Sequence, residues 1–137
     1  MNDIDSFLAM DLPSFGGDFV LRKIAPGDFI FLEGQPGNAA YVIMRGEVQV
    51  TTEKANGELV IISRMKAGEM FGEIALLTPE CVRTATTISE KGCELLVIEP
   101  AAFEAHMLKV DLMTQYIMSQ FCKRIIALTD RLRDGPT

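Results

Sequence analysis

The stretch Phe71-Gly72-Glu73-Ile74-Ala75-Leu76-Leu77, followed after a short loop by Arg83-Thr84-Ala85, organises the chain. Gly72 carries no Cβ, so a ligand or another backbone can approach it closely. Glu73 to Leu77 is a run of good helix formers halted by Pro79, which reads as one or two helical turns. The first turn of a helix leaves backbone N–H groups unpaired, and the helix dipole favours an anion there. Arg83 adds a permanent cation with forked donors suited to a phosphate. Glu73 stands beside this anion site, where a phosphate would repel it. A carboxylate makes sense there as an acceptor for hydroxyls, such as those of a ribose. A phosphate beside a ribose hydroxyl is a nucleotide. The plainer alternative, a Glu and an Arg pairing across a surface turn, is worth less than about 1 kcal/mol.

At these residues the sequence resembles the phosphate-binding cassette of cyclic nucleotide-binding domains. Such domains occur in cAMP-dependent protein kinase regulatory subunits, cyclic nucleotide-gated channels and bacterial catabolite activator proteins. The run, the loop and the Arg-small-Ala triplet occur together, and the resemblance extends from about Asp18 to the C-terminus. It implies that Glu73 binds the ribose 2′-hydroxyl. It also implies that Arg83 and the backbone N–H groups around Ile74 and Ala75 bind the cyclic phosphate, with Phe71, Gly72 and Ala85 completing the cassette.

The same resemblance bears on the choice of nucleotide. The Thr84 hydroxyl can bond the phosphate, or the exocyclic amine of a syn guanine. A Thr here occurs in cGMP-responsive members and does not exclude cAMP. Where cGMP-dependent kinase has an arginine on the preceding strand, this chain has Ser63, as does the catabolite activator branch. Val50 matches that branch's apolar residue under the sugar or base. We therefore expect cAMP as the ligand, with cGMP-selective or dual binding as the alternative. At ~0.3 kcal/mol per heavy atom, a ligand of roughly 22 heavy atoms gains ~7 kcal/mol, a dissociation constant on the order of ten micromolar.

Composition agrees with one domain. A chain of 137 residues, 48% hydrophobic, can bury a real core and is not disordered. The expected organisation is a single domain over 1–137: an N-terminal helix at 3–10, a β-roll at 18–99 that includes the cassette at 71–85, and C-terminal helices at 100–134. No apolar run reaches membrane-spanning length, and the acidic N-terminus lacks the regions of a signal peptide. A cytoplasmic protein is expected. Cys81, Cys93 and Cys122 are odd in number and form no C-x-x-C pair, which argues against a disulfide framework or a zinc site. The net charge of −6 disfavours non-specific binding to nucleic acid or an anionic membrane, yet leaves room for one local basic pocket.

Short β runs separated by turns fill the middle of the chain. They are expected at Phe19–Ala25, Phe29–Leu32, Ala40–Met44, Glu47–Thr52, Glu58–Met65, Thr84–Ser89 and Cys93–Glu99. A break falls at Arg45-Gly46, and Asn56-Gly57 is the strongest hairpin signal. This pattern reads as a closed all-β sandwich or roll. The resemblance specifies a mainly β fold with flanking helices: an eight-stranded jelly-roll-like β-roll, a short cassette helix and a long C-terminal helix.

After Pro100 the apolar period becomes helical. Ala101–Lys109 reads as a short helix, and Asp111 can cap a longer one. In the longer helix Met113, Ile117, Phe121, Ile125, Leu128 and Leu132 recur at spacings of three and four, and Leu112, Tyr116, Cys122 and Ile126 widen the face. One reading packs this whole face on the roll. The reading we favour gives one stripe to the roll or pocket and another to a second subunit, a homodimer through residues 111–133. In catabolite activator proteins this helix forms the dimer seam and touches the purine, which makes Thr129 a candidate purine contact.

His106, the only histidine, is expected to be structural, and its solitude argues against a metal-binding cupin. We expect no metal, no cofactor and no catalytic residues, since no nucleophile–base pair accompanies the cassette. The expected function is a cAMP sensor in signal transduction. On binding, it switches its C-terminal helices or an effector protein, without direct contact to nucleic acid or membrane. The remaining alternative is a structural dimerisation module with a vestigial pocket. Met1 and the end at Gly135-Pro136-Thr137 suggest a free-standing protein rather than an excised regulatory fragment.

Overall fold

The computed structural model describes residues 19–77 and 82–134, with side chains as far as Leu128 in the last helix. The expected N-terminal helix at 3–10 and Cys81 lie outside these residues. Strands β1 (Val20–Ile24), β2 (Asp28–Phe31), β3 (Ala40–Glu53), β4 (Leu59–Lys66) and β5 (Met70–Phe71) lead into a short helix α1 (Ile74–Leu77). Strands β6 (Thr86–Ser89) and β7 (Cys93–Ile98) follow, then helices α2 (Pro100–Met107) and α3 (Leu112–Asp134).

Every strand pairing is antiparallel, and β3 is the spine. Its first half pairs with β7 and β5, its second with β4 and β6. The sequence suggests a break at Arg45-Gly46. The chain instead runs through as one strand, because Gly46 pairs with Cys93 of β7 and Glu47 already pairs with Lys66 of β4. A register shift between Ile43 and Arg45 marks the changeover. The seven strands described become the expected eight when the two halves of β3 are counted separately.

Gly46 has φ 90°, and a Cβ there would stand 2.5 Å from the Gly92 carbonyl oxygen and 2.9 Å from Cys93 Cα. Glycine at this crossing is a steric requirement. Inside the roll, Ile24, Ile30, Tyr41, Ile43, Val48, Phe71 and Leu95 form the core. The Asn56-Gly57 hairpin forms as expected: Lys54 N–H donates to the Glu58 carbonyl at 2.8 Å, and Glu58 N–H donates to Asn56 Oδ1 at 3.0 Å. One element escaped the sequence reading. β5 is only two residues long, too short for any periodicity to reveal, yet it pairs Phe71 with Tyr41 and so fixes the cassette to the spine.

The helices begin where their residues direct. Glu99 is the N-cap of α2 with Pro100 in its first turn. Asp111 caps α3, accepting from Thr114 N–H and Thr114 Oγ1, each at 2.8 Å, and these bonds hold its carboxyl below the ordinary aspartate value. His106 stacks on Phe19 at 5.2 Å between ring centroids. The broad apolar face of α3 is not absorbed by the roll: Leu112, Met113, Tyr116, Phe121 and Leu128 are each half or more exposed. No described helix is long and apolar enough to cross a membrane.

Gly46→Ala is expected to destabilise the fold by about 2–4 kcal/mol, since positive-φ strain and a main-chain clash act together. A thermal or denaturant melt measures this, and a loss below 1 kcal/mol (about the strain alone) would contradict the close crossing.

Candidate ligand-binding site

Registers across four strands set one row of side chains side by side. Phe31 of β2 pairs with Thr87 of β6, Thr87 pairs with Val50 of β3, and Val50 pairs with Ser63 of β4. Residues directly opposite in an antiparallel sheet share a face. Phe31, Thr87 and Val50 therefore form a floor, and the cassette lies over it. Between them is a cavity of about 190 Å³, lined also by Phe71, Gly72, Glu73, Ile74, Val82, Arg83, Thr84 and Ala85.

Arg83 dominates this cavity. Its main chain is pinned on both sides, with Arg83 N–H donating to the Gln35 carbonyl and Gly34 N–H donating to the Arg83 carbonyl, each at 2.8 Å. Its guanidinium lies 4.1 Å from the Phe31 ring centroid, a cation–π distance. Nη2 donates to the Ala39 carbonyl at 2.7 Å and Nη1 to the Gly72 carbonyl at 3.3 Å. The residue is only 5% exposed, and Nε has no hydrogen-bond partner among the described residues. None of the ion pairs among the described residues involves it. A buried cation held by two carbonyls and a ring keeps its net charge, which is costly unless an anion joins it.

Gly72 makes room for this arrangement. At φ 72° it occupies the left-handed region, and a Cβ there would stand 2.9 Å from Arg83 Nη1 and 3.4 Å from the Ala39 carbonyl oxygen. Its carbonyl accepts from Ala75 N–H at 3.2 Å as well as from Arg83, so α1 and the guanidinium share one acceptor. Phe71 is buried against Tyr41 at 5.2 Å between centroids. Glu73 and Ile74 are half-buried at the cavity edge, and Thr84 is exposed beside Arg83.

Most of the residues singled out in the sequence meet here: Val50, Phe71, Gly72, Glu73, Ile74, Arg83, Thr84 and Ala85 line the cavity. Ala75 is buried in α1, behind the lining. Ser63 shares the row with Val50 but is exposed and does not line the cavity. Thr129 is in α3, and its side chain lies outside those described. The sequence reading missed Phe31, Val82, Thr87 and the Ala39 carbonyl. Thr87 had a signal: it lies two residues after Ala85 in the strand expected at Thr84–Ser89. The others become neighbours only through long-range pairing.

The antiparallel roll and its cation-bearing cavity define a domain built to hold a small anionic ligand. The family model described as "Cyclic nucleotide-binding domain" matches residues 21–109, and the chain belongs to that family. It is 33% identical over 78 residues to the cGMP-dependent protein kinase egl-4 of Caenorhabditis elegans, covering 57% of this chain and 9% of the kinase. It is 32% identical over 75 residues to a CRP-like cAMP-activated global transcriptional regulator of Mycobacterium tuberculosis, covering 50% of this chain and 34% of the regulator. Among solved structures, it matches the EAL enzyme Bd1971 in a cAMP-bound form at TM-score 0.62 and 25% identity, covering 83% of this chain and 30% of that one. The cGMP-bound form of the same enzyme matches at TM-score 0.64 and 26% identity, covering 84% and 30%. The chain thus spans only a minor part of these relatives.

Gly72→Ala is expected to lower the melting temperature more than Gly68→Ala. Both glycines have positive φ, but a Cβ at Gly68 meets nothing within 4 Å. Equal losses would mean that the Arg83 guanidinium moves aside freely and is not held as described.

Proposed function

We propose that this domain is a non-enzymatic receptor for cAMP that passes binding on to its C-terminal helices and through them to a partner protein. The observation that carries this reading is the buried Arg83, which lines a cavity and whose guanidinium has, among the described residues, no partner for Nε and no paired carboxylate. A cyclic phosphate supplies the missing anion. The 3.3 Å bond from Nη1 to the Gly72 carbonyl is the weaker of the two anchors and is the one to be exchanged, leaving Nη2 on Ala39 as the pivot. Nε, whose N–H has no partner among the described residues, then donates to the phosphate. Glu73, at the cavity edge, accepts from the ribose 2′-hydroxyl, and Val50 lies under the sugar and base.

One observation favours cAMP over cGMP. Ser63, beside Val50 in the row, offers no long cationic side chain to a guanine. Thr84 is exposed at the cavity mouth and is free to serve either purine. Glu73 is the one carboxylate lining the cavity among the described residues, and we assign it to the ribose. Kinase and regulator relatives named for cGMP and cAMP support a signalling role. The unbridged Cys93 and Cys122 suit a cytosolic setting.

The exposed apolar face of α3 supplies a homodimer seam. Five large side chains at half exposure or more make a patch that water does not favour. Phe121→Glu is expected to convert a dimer to a monomer in sedimentation velocity while leaving the circular dichroism of the roll intact. A wild-type monomer at high concentration would remove the homodimer from the reading.

Calorimetric titration with cAMP and with cGMP tests the receptor itself. Micromolar or tighter cAMP binding, with weaker cGMP binding, is expected. Arg83→Leu should cost roughly 1.5–3 kcal/mol of affinity, ten- to a hundredfold or more. Tighter cGMP binding would assign the choice of base to Thr84. Failure to bind either nucleotide would overturn the receptor and favour a structural dimer.

A further inference from the structure

We infer that Thr87 is a polar contact for the sugar of the bound nucleotide, on the floor of the cavity and apart from the cassette. The inference rests on the receptor reading above and extends it to a residue outside the cassette.

Four hydroxyls are buried where β3 meets β6, and three are satisfied. Thr51 Oγ1 donates to the Thr86 carbonyl at 3.0 Å. Thr86 Oγ1 accepts from Glu33 N–H at 2.9 Å, and Ser89 Oγ donates to the Glu47 carbonyl at 2.7 Å. Thr87 is 2% exposed, and its Oγ1 has no partner among the described residues. An unpaired buried hydroxyl costs free energy, and a Val would fill the same volume without that cost. Thr87 is nonetheless one of the residues that line the cavity. Arg83, whose Nε also has no partner among the described residues, lines the same cavity.

The row of side chains says which part of the ligand arrives at Thr87. Phe31 carries the Arg83 guanidinium on its face, Thr87 is the next residue across, and Val50 the one after. Adjacent strands are spaced about 4.8 Å apart. A phosphate on Arg83 therefore sits above Phe31, its fused sugar one strand further over Thr87, and the base beyond, towards Val50 and Ser63. A hydroxyl both donates and accepts, so it can pair with a ribose oxygen or hydroxyl whichever purine is attached.

The test compares Thr87→Val and Thr87→Ser with wild type, using cAMP and cGMP as ligands and a thermal melt of each ligand-free protein. Thr87→Val should melt at or above wild type and bind cAMP about five- to tenfold more weakly, the loss of one hydrogen bond. The same factor should apply to cGMP, since the sugar is shared. Thr87→Ser, which keeps the hydroxyl, should bind within about twofold of wild type. Unchanged cAMP affinity in Thr87→Val, an equal loss in Thr87→Ser, or a loss for one nucleotide only would overturn the assignment and leave the receptor standing. A Thr87→Val protein that melts below wild type would show the hydroxyl already paired and would overturn it too. Wild type that binds neither nucleotide would remove the receptor and this contact together.

Discussion

A buried guanidinium with no ion pair among the described residues is the constraint on which the rest of this structure depends. Burying a charge without a counter-ion is tolerated only where hydrogen bonds and a polarisable surface replace part of its hydration. Arg83 receives two carbonyls and the face of Phe31. Each of these partners requires something of the fold. The Ala39 carbonyl must arrive from the residue just before β3. Gly72 must lack a Cβ, since the guanidinium takes the space one would fill. Phe31 must be held by Tyr41 and Phe71, with centroids 6.2 and 6.0 Å away. The cavity is the space these demands leave beside the cation.

The spine strand explains how one short cassette can rely on such distant partners. β3 belongs to both halves of the roll, and Gly46 is the point where it passes from one set of neighbours to the other. Its first half holds β5, and through Phe71 it positions Gly72. Its second half holds β6, and through Val50 it positions Thr87 opposite Phe31. The cassette and the floor are thus two ends of the same strand pairing. Strain at Gly46 would reach the site without touching a ligand.

The sequence made legible what local chemistry encodes. The glycine turns, the Asn56-Gly57 hairpin, the Asp111 cap and the long helix each follow from a few adjacent residues. Gly72, Glu73 and Arg83 were legible because the cassette pattern gathers them, and Val50 because the resemblance to the catabolite activator branch points to it. The sequence was silent where partners come from far along the chain. Nothing near residue 83 says that residues 31 and 39 will meet it, and nothing near residue 50 says that β3 continues through Gly46. Ser63 shows the opposite limit. The resemblance singled it out, and strand pairing sets it beside Val50, but it is exposed and does not line the cavity. The register shift between Val50 and Thr51, next to that pair, breaks the simple alternation that would have revealed this.

The shared acceptor at Gly72 also bounds what a binding event can transmit. Its carbonyl takes one bond from Arg83 and one from Ala75 of α1, and α1 packs against both α2 and α3. An anion that withdraws Arg83 Nη1 leaves that carbonyl to the helix alone, so the phosphate contact and the first turn of α1 cannot change independently. A four-residue helix has little stability of its own, and its position follows from such contacts. If binding is passed on to α3, as proposed above, the signal is no larger than the ligand's preference for one cassette arrangement over another. One exchanged hydrogen bond to a charged group is worth roughly 1.5–3 kcal/mol, enough to shift a balanced equilibrium by a factor of ten to a hundred or more.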